Sequence, residues 1–134
     1  MSKINTILFD LDGTLVDNSH LYQQALDASL QTNGVSTFTR EQVSNLLESK
    51  ALTRDLSAMG IDSVLAQRVE EERDASVCRL FSTCTDWMPG AEAFLQTARP
   101  HVSMGLVTNT WGKFVDAIDD RLHLRQHFPI IIDG

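Results

Sequence analysis

The chain has 134 residues, 43% of them hydrophobic, with 18 acidic against 11 basic side chains and a net charge of -7. That supplies one ordinary core and a small satellite domain, not two large domains. The acidic balance and the scattering of Lys and Arg exclude a nucleic-acid backbone or an anionic membrane surface as the main partner, because both are bound through clustered cations.

No apolar stretch reaches the roughly 20 residues needed to span a bilayer. Met1-Ser2-Lys3 leads into a strand without a signal peptide's apolar core, so a cytoplasmic location is expected. Cys78 and Cys84 lack zinc-like spacing, which favours free thiols in a reducing compartment.

Ile4 to Phe9 predicts a short strand buried on both faces, as in a parallel sheet flanked by helices. From His20 the apolar residues take helical spacing, with Leu21, Ala25 and Ala28 on one stripe and Tyr22, Leu26 and Leu30 beside it, ending near Asn33-Gly34. Thr39 with Gln42 three residues later reads as a capping box opening a second helix through Val43, Leu46 and Leu47. A third, with Leu52, Leu56 and Met59, stops at Gly60. Ser63 starts a long helix carrying Val64, Leu65, Val69, Val77, Leu80 and Phe81 inward and the run Glu70-Glu71-Glu72 on a solvated face.

Pro89 fits the first turn of a helix through Ala93, Phe94 and Ala98 that stops before Pro100. Val102 to Val107 reads as a second buried strand, Trp111 to Leu122 as a helix with Phe114, Val115, Ile118 and Leu122 inward, and Ile130 to Ile132 as a third strand. Alternation of strand and helix on either side of a helical block predicts an α/β domain carrying an insert.

Chemistry concentrates where the first strand gives way to glycine, at Asp10-Leu11-Asp12-Gly13-Thr14. Two acids this close cannot share a dry pocket as bare anions, so they call for a cation between them or a proton on one of them. Oxygen-only ligands at a strand end favour Mg2+. Thr108 and Asn109 end the next strand, and ligands of open parallel sheets bind outside such carboxyl ends, so the two segments are expected to meet.

Asp10-Leu11-Asp12-Gly13-Thr14 resembles the first motif of the haloacid dehalogenase-like superfamily, Asp-x-Asp-x-Thr after an apolar strand. Gly105-Leu106-Val107-Thr108-Asn109 is similar to its second motif, and Met88-Pro89-Gly90 to the return from an inserted cap. The helical block resembles the cap of the phosphoglycolate phosphatase and phosphoglucomutase-like branch. The resemblance implies a Rossmann-like parallel sheet core of about three strands, made of residues 1–18 and 87–134, with an α-helical cap over 19–86.

It further implies an Mg2+-dependent phosphatase that hydrolyses a small phosphate monoester through an aspartyl-phosphate. Asp10 would be the nucleophile and a metal ligand, and Asp12 the acid/base, lending its backbone carbonyl to the metal. Thr108, Asn109 and Thr14 would contact the phosphoryl group, and Arg54 with Lys50 in the cap would meet a substrate anion. Beside Arg54, His20 is a lesser candidate for the cleft, whereas His101, His123 and His127 read as surface or packing residues.

The family also uses a Lys and an acidic pair on later strands, and this chain is expected to end before them. Lys113 lies too near the Thr108-Asn109 turn, Asp119-Asp120 fall within a helix, and Asp133 comes too early. A core open at that side would expose a sheet edge and invite self-association. Two alternatives stay open: phosphoglucomutase-like transfer to a sugar, and a non-catalytic haloacid dehalogenase-like domain that binds a protein partner.

Overall fold

In chain order the elements are β1 (Thr6–Phe9), α1 (Ser19–Thr32), α2 (Arg40–Leu46), α3 (Leu52–Ala58), α4 (Ser63–Cys84), α5 (Ala91–Ala98), β2 (Ser103–Val107), α6 (Gly112–Leu122), α7 (Leu124–His127) and β3 (Ile130–Ile132). This is a computed structural model that describes residues 3–36, 38–47 and 49–134. Met1 and Ser2, expected to lead straight into the first strand, lie outside the described residues. The chain divides into a sheet unit, Met1–Asn18 with Phe81–Gly134, and a helical unit, Ser19–Leu80.

The three strands of the sheet unit run parallel in the order β1-β2-β3, with Leu8 opposite Gly105 and Gly105 opposite Ile130. Parallel strands added in one direction by right-handed crossovers place their connecting helices on one face of the sheet. That face is covered. Met104 and Leu106 are buried on it, as are Phe114, Val115, Ala117 and Ile118 of α6. The Phe9 ring lies 6.1 Å from that of Phe94 and 5.7 Å from that of Phe128.

The opposite face is bare, with Leu8 67%, Ile130 65% and Ile132 57% exposed. This corrects the expectation that Ile4 to Phe9 is buried on both sides. The strand begins at Thr6, Ile4 is exposed, and the topology supplies helices to one side only. Leu8 lies across the backbone of Gly105, where a Cβ would approach its Cδ2 to 2.9 Å.

In the helical unit Leu26, Leu30, Leu46, Leu52, Leu56, Ala66 and Val69 form one core, edged by Val43, Met59 and Leu65. The capping box forms as expected, the Thr39 hydroxyl accepting from the Gln42 N–H and the Gln42 side chain accepting from the Thr39 N–H. Three expectations need correction. Ala28 faces solvent and Ser29 is buried in its place, its hydroxyl donating to the Leu26 carbonyl at 2.9 Å. Val64 is exposed, in the first turn of α4, which the Asp62 carboxylate caps through the N–H groups of Val64 and Leu65.

The acidic run on α4 is not simply solvated. Glu70 accepts from the N–H and hydroxyl of Thr53, and Glu72 accepts from the Asn33 amide at 2.7 Å. In the sheet unit, Pro89 stands before the N-cap Gly90 and outside the first turn of α5. Phe94 is 53% exposed and Leu95 is the buried residue of that helix. The last turn of α4 belongs to the sheet unit, where the Phe81 and Phe114 rings meet at 6.0 Å.

Candidate active site

Asp10 follows β1 directly and is exposed. Continued by one residue, the β1-β2 register sets it beside Val107, next to Thr108. The chain then wraps around a single oxygen. The Leu11 carbonyl accepts from the N–H groups of Thr14, Leu15 and Val16 at 3.3, 2.9 and 3.2 Å, while the Gly13 N–H donates to the Val16 carbonyl at 2.8 Å. Gly13 holds φ +76°, a left-handed conformation that costs a residue with a Cβ about 1–2 kcal/mol. Leu11, Leu15 and Val16 are buried beneath the turn, which anchors it and leaves Asp12 half-exposed above.

Opposite this turn stands the tip of β2. Thr108 is tied by its N–H to the Ile132 carbonyl at 2.9 Å, and Thr110 by its carbonyl to the Gly134 N–H at 3.0 Å. The Thr110 N–H donates to the Thr108 hydroxyl at 3.1 Å, an ST-type turn that folds the chain back towards α6. The Thr110 hydroxyl donates in turn to Asp12 Oδ2. The structure therefore brings Asp12 to the tip that carries Thr108, through a residue the sequence reading passed over. Thr14 and Asn109 are exposed beside these turns.

A second missed feature pins the returning chain beside the Asp12 turn. Val16 pairs antiparallel with Trp87, the Met88 N–H donates to the Leu15 carbonyl at 2.8 Å, and the buried Thr85 hydroxyl donates to Asn18 Oδ1 at 2.7 Å. Arg121 clamps this ribbon to α6, Nε donating to the Thr85 carbonyl at 2.5 Å and Nη2 to Asp86 at 3.0 Å. Lys113 is held over aromatic faces, its Nζ 4.4 Å from the centre of the Trp111 ring and 5.2 Å from that of Phe114.

In the helical unit, Arg54 and Lys50 line a groove of about 560 Å³ together with Ser44, Asn45 and Asp55. The Arg54 side chain is 78% exposed and bonds Asp55 Oδ1 through Nε at 3.1 Å and Nη2 at 3.0 Å. The Ser49 hydroxyl, followed by the Arg54 guanidinium, holds the Asp55 carboxyl below the usual carboxylate range. Buried Arg73 braces the same segment, donating to the Ser49 carbonyl at 3.1 Å and to Asp74 at 2.7 Å. His20 is exposed on α1. His127 is buried against Trp87, its ring 5.6 Å away, and burial pushes its pKa below the ordinary 6.5.

The donor chemistry of Asp10 and Asp12 suits a hard cation, since both offer oxygen alone. Among the described residues, however, no group of three or more His, Cys, Asp or Glu side chains converges to hold a metal ion. These residues by themselves do not complete an Mg2+ shell. No described helix is long and apolar enough to cross a membrane.

Several known proteins are similar to this chain. The phosphoglycolate phosphatase of Pseudomonas fluorescens is 33% identical over 144 aligned residues, covering 96% of this chain and 50% of its own length. That of Photorhabdus laumondii is 26% identical, covering all of this chain and 60% of its own. The chain thus spans about half the length of the curated relatives it matches. Among solved structures, CbbY from Rhodobacter sphaeroides in complex with phosphate superposes with a TM-score of 0.73 at 20% identity, covering 98% of this chain and 64% of that one. A predicted phosphoglycolate phosphatase from Haemophilus somnus reaches 0.78 at 16% identity, over all of this chain and 64% of its own. At those identities the likeness to the two structures is one of fold. The sequence pattern of the haloacid dehalogenase-like hydrolases matches residues 7–134, and with the paired aspartates at the first strand's end, the chain belongs to that family.

Proposed function

We propose that the whole protein is an Mg2+-dependent phosphatase acting on a small phosphate monoester, with phosphoglycolate-like metabolites the substrate class favoured by its relatives. The observation that carries this reading is the meeting of Asp12 with the Thr108 tip one short turn after Asp10. Asp10 attacks phosphorus, so that an O–P bond forms as the bond to the leaving oxygen breaks, and Asp12 gives that oxygen its proton. Water then attacks the aspartyl-phosphate, the Asp10–phosphorus bond breaks, and Asp12 takes the proton from the water. Thr108, Asn109 and Thr14 orient the phosphoryl oxygens.

Mg2+, when bound, neutralises charge on those oxygens. Asp10 and the Asp12 carbonyl would be its donors from this part of the protein. Residues 19–86 act as the cap, and Arg54 with Lys50 meets the anionic end of the substrate remote from phosphorus.

The test is phosphate release from a panel of small monoesters by the full-length protein. Asp10→Asn abolishes it, and unchanged release in that variant would overturn the reading. Isotopic label recovered in a sugar bisphosphate would instead favour mutase-type transfer. A cytoplasmic location is proposed here too. For this chain in isolation, the apolar sheet face at Leu8 and Ile130 is read as a self-association surface, tested by sedimentation.

A further inference from the structure

Ser49, in the segment between α2 and α3, is the meeting point of a polar chain that runs from the core of the helical unit to its groove. Its carbonyl accepts from Arg73 at 3.1 Å, and Arg73 is 1% exposed. Its hydroxyl accepts the Ala51 N–H at 3.1 Å and donates to Asp55 Oδ2 at 2.6 Å. The other carboxylate oxygen, Asp55 Oδ1, takes Nε and Nη2 of Arg54 at 3.1 and 3.0 Å. Both oxygens of Asp55 are thereby engaged. The Ser49 hydroxyl, and after it the Arg54 guanidinium, keep the group ionised by holding its pKa below the usual carboxylate range.

Nε and Nη2 lie on one edge of the planar guanidinium, and Asp55 uses that edge. A ligand therefore meets Arg54 at its outer edge, formed by Nη1 and the second hydrogen of Nη2, on a side chain that is 78% exposed. Asp55 also sets a fixed negative charge beside that ligand, offsetting one of the positive charges that Lys50 and Arg54 bring to the groove. Repulsion from it scales with the ligand's charge, so a doubly charged group is penalised about twice as much as a singly charged one. We propose that Asp55 is a specificity-determining residue: by holding Arg54 along one edge and offsetting one positive charge of the groove, it selects a substrate whose second anionic group is a singly charged carboxylate over one whose second group is a doubly charged phosphate. This rests on the reading that Arg54 and Lys50 meet the far end of a small phosphate monoester, and adds to it which anion that end carries. Asp55 acts here through Arg54 and through its charge, and Ser49 fixes it in place.

The test compares phosphoglycolate with ethane-1,2-diyl bisphosphate as substrates of the full-length protein. Asp55→Asn, which keeps the shape and removes the charge, lowers KM about fivefold for the bisphosphate and about twofold for phosphoglycolate, with kcat nearly unchanged for both. Asp55→Glu, which keeps the charge, retains the wild-type preference. A gain for the dianion is not what a merely structural role produces, since damage to the groove weakens both substrates alike. Equal changes on the two substrates, or weaker binding of both, would overturn the proposal. A second readout needs no turnover: the 15N resonance of Arg54 Nε is followed while the protein is titrated with acetate or with sulfate. In Asp55→Asn the sulfate midpoint falls about fivefold and the acetate midpoint about twofold, and Asp55→Glu restores both. Midpoints that stay put refute the proposal whether or not the protein releases phosphate. Midpoints that shift support it, and absent phosphate release beside them counts against the phosphatase reading alone.

Discussion

The α3 helix begins at Leu52 after Ala51, a residue with no side chain to cap it, and borrows its cap from α4. Glu70 Oε2 accepts the Thr53 N–H at 2.6 Å and also the Thr53 hydroxyl. A bond to a charged acceptor contributes about 1.5–3 kcal/mol, and a carboxylate at a helix N-terminus adds about 0.3–1. Because Glu70 is only half-buried, the lower end applies, and Glu70→Ala should cost about 2 kcal/mol at this helix end. The Thr53 amide is a direct probe of that cost. At 1.4 kcal/mol per tenfold, its hydrogen exchange should speed up roughly 30-fold in Glu70→Ala and about fivefold in Glu70→Gln, which keeps an acceptor but loses the charge. Unchanged exchange at Thr53 in Glu70→Ala would refute the cap, and with it the idea that α4 fixes the helix bearing Arg54.

Leu106 is fully buried on the covered sheet face, so Leu106→Ala should destabilise the sheet unit by about 2–5 kcal/mol, read as a lower midpoint in urea. Gly13→Ala places a Cβ on a left-handed residue and should cost about 1–2 kcal/mol, while Gly13→Asn should cost less. The depressed pKa of His127 means that the unfolded chain binds the proton first; its contribution is present above about pH 6.5 and lost as pH falls below that towards the lowered folded value. His127→Phe should flatten stability between pH 7 and 5.5, and an unchanged slope in thermal melts would count against the burial argument. Ile130→Lys, at a position already 65% exposed, should leave stability within about 0.5 kcal/mol and reduce ANS binding by the isolated chain.

What was legible in the sequence was what neighbours in the chain decide. The capping box of Thr39 and Gln42 spans three residues, and the glycine after Asp12 announces its own turn. Strand β3 was recognised from three isoleucines, and the first motif placed both carboxylates at a strand end. Hidden from such reading were links that only folding makes. Thr110 meets Asp12 across 98 residues, Glu72 meets Asn33 across 39, and Glu70 leaves its apparent solvated face for a helix 17 residues away. The bare side of β1 was misread for a different reason. An apolar run states that a strand prefers cover, whereas the side on which cover arrives follows from strand order and crossover hand.

The turn that carries the aspartates is drawn together by one carbonyl, that of Leu11, gathering three amide hydrogens. Every amino acid brings that oxygen, so the exposed side chain at position 14 can change without dissolving the loop. Proline at position 14, 15 or 16 is the exception, since it arrives without the hydrogen that the loop needs. The loop beside Asp10 is thus tolerant of change where only its backbone is used, and fragile at the left-handed Gly13 and to proline at three positions.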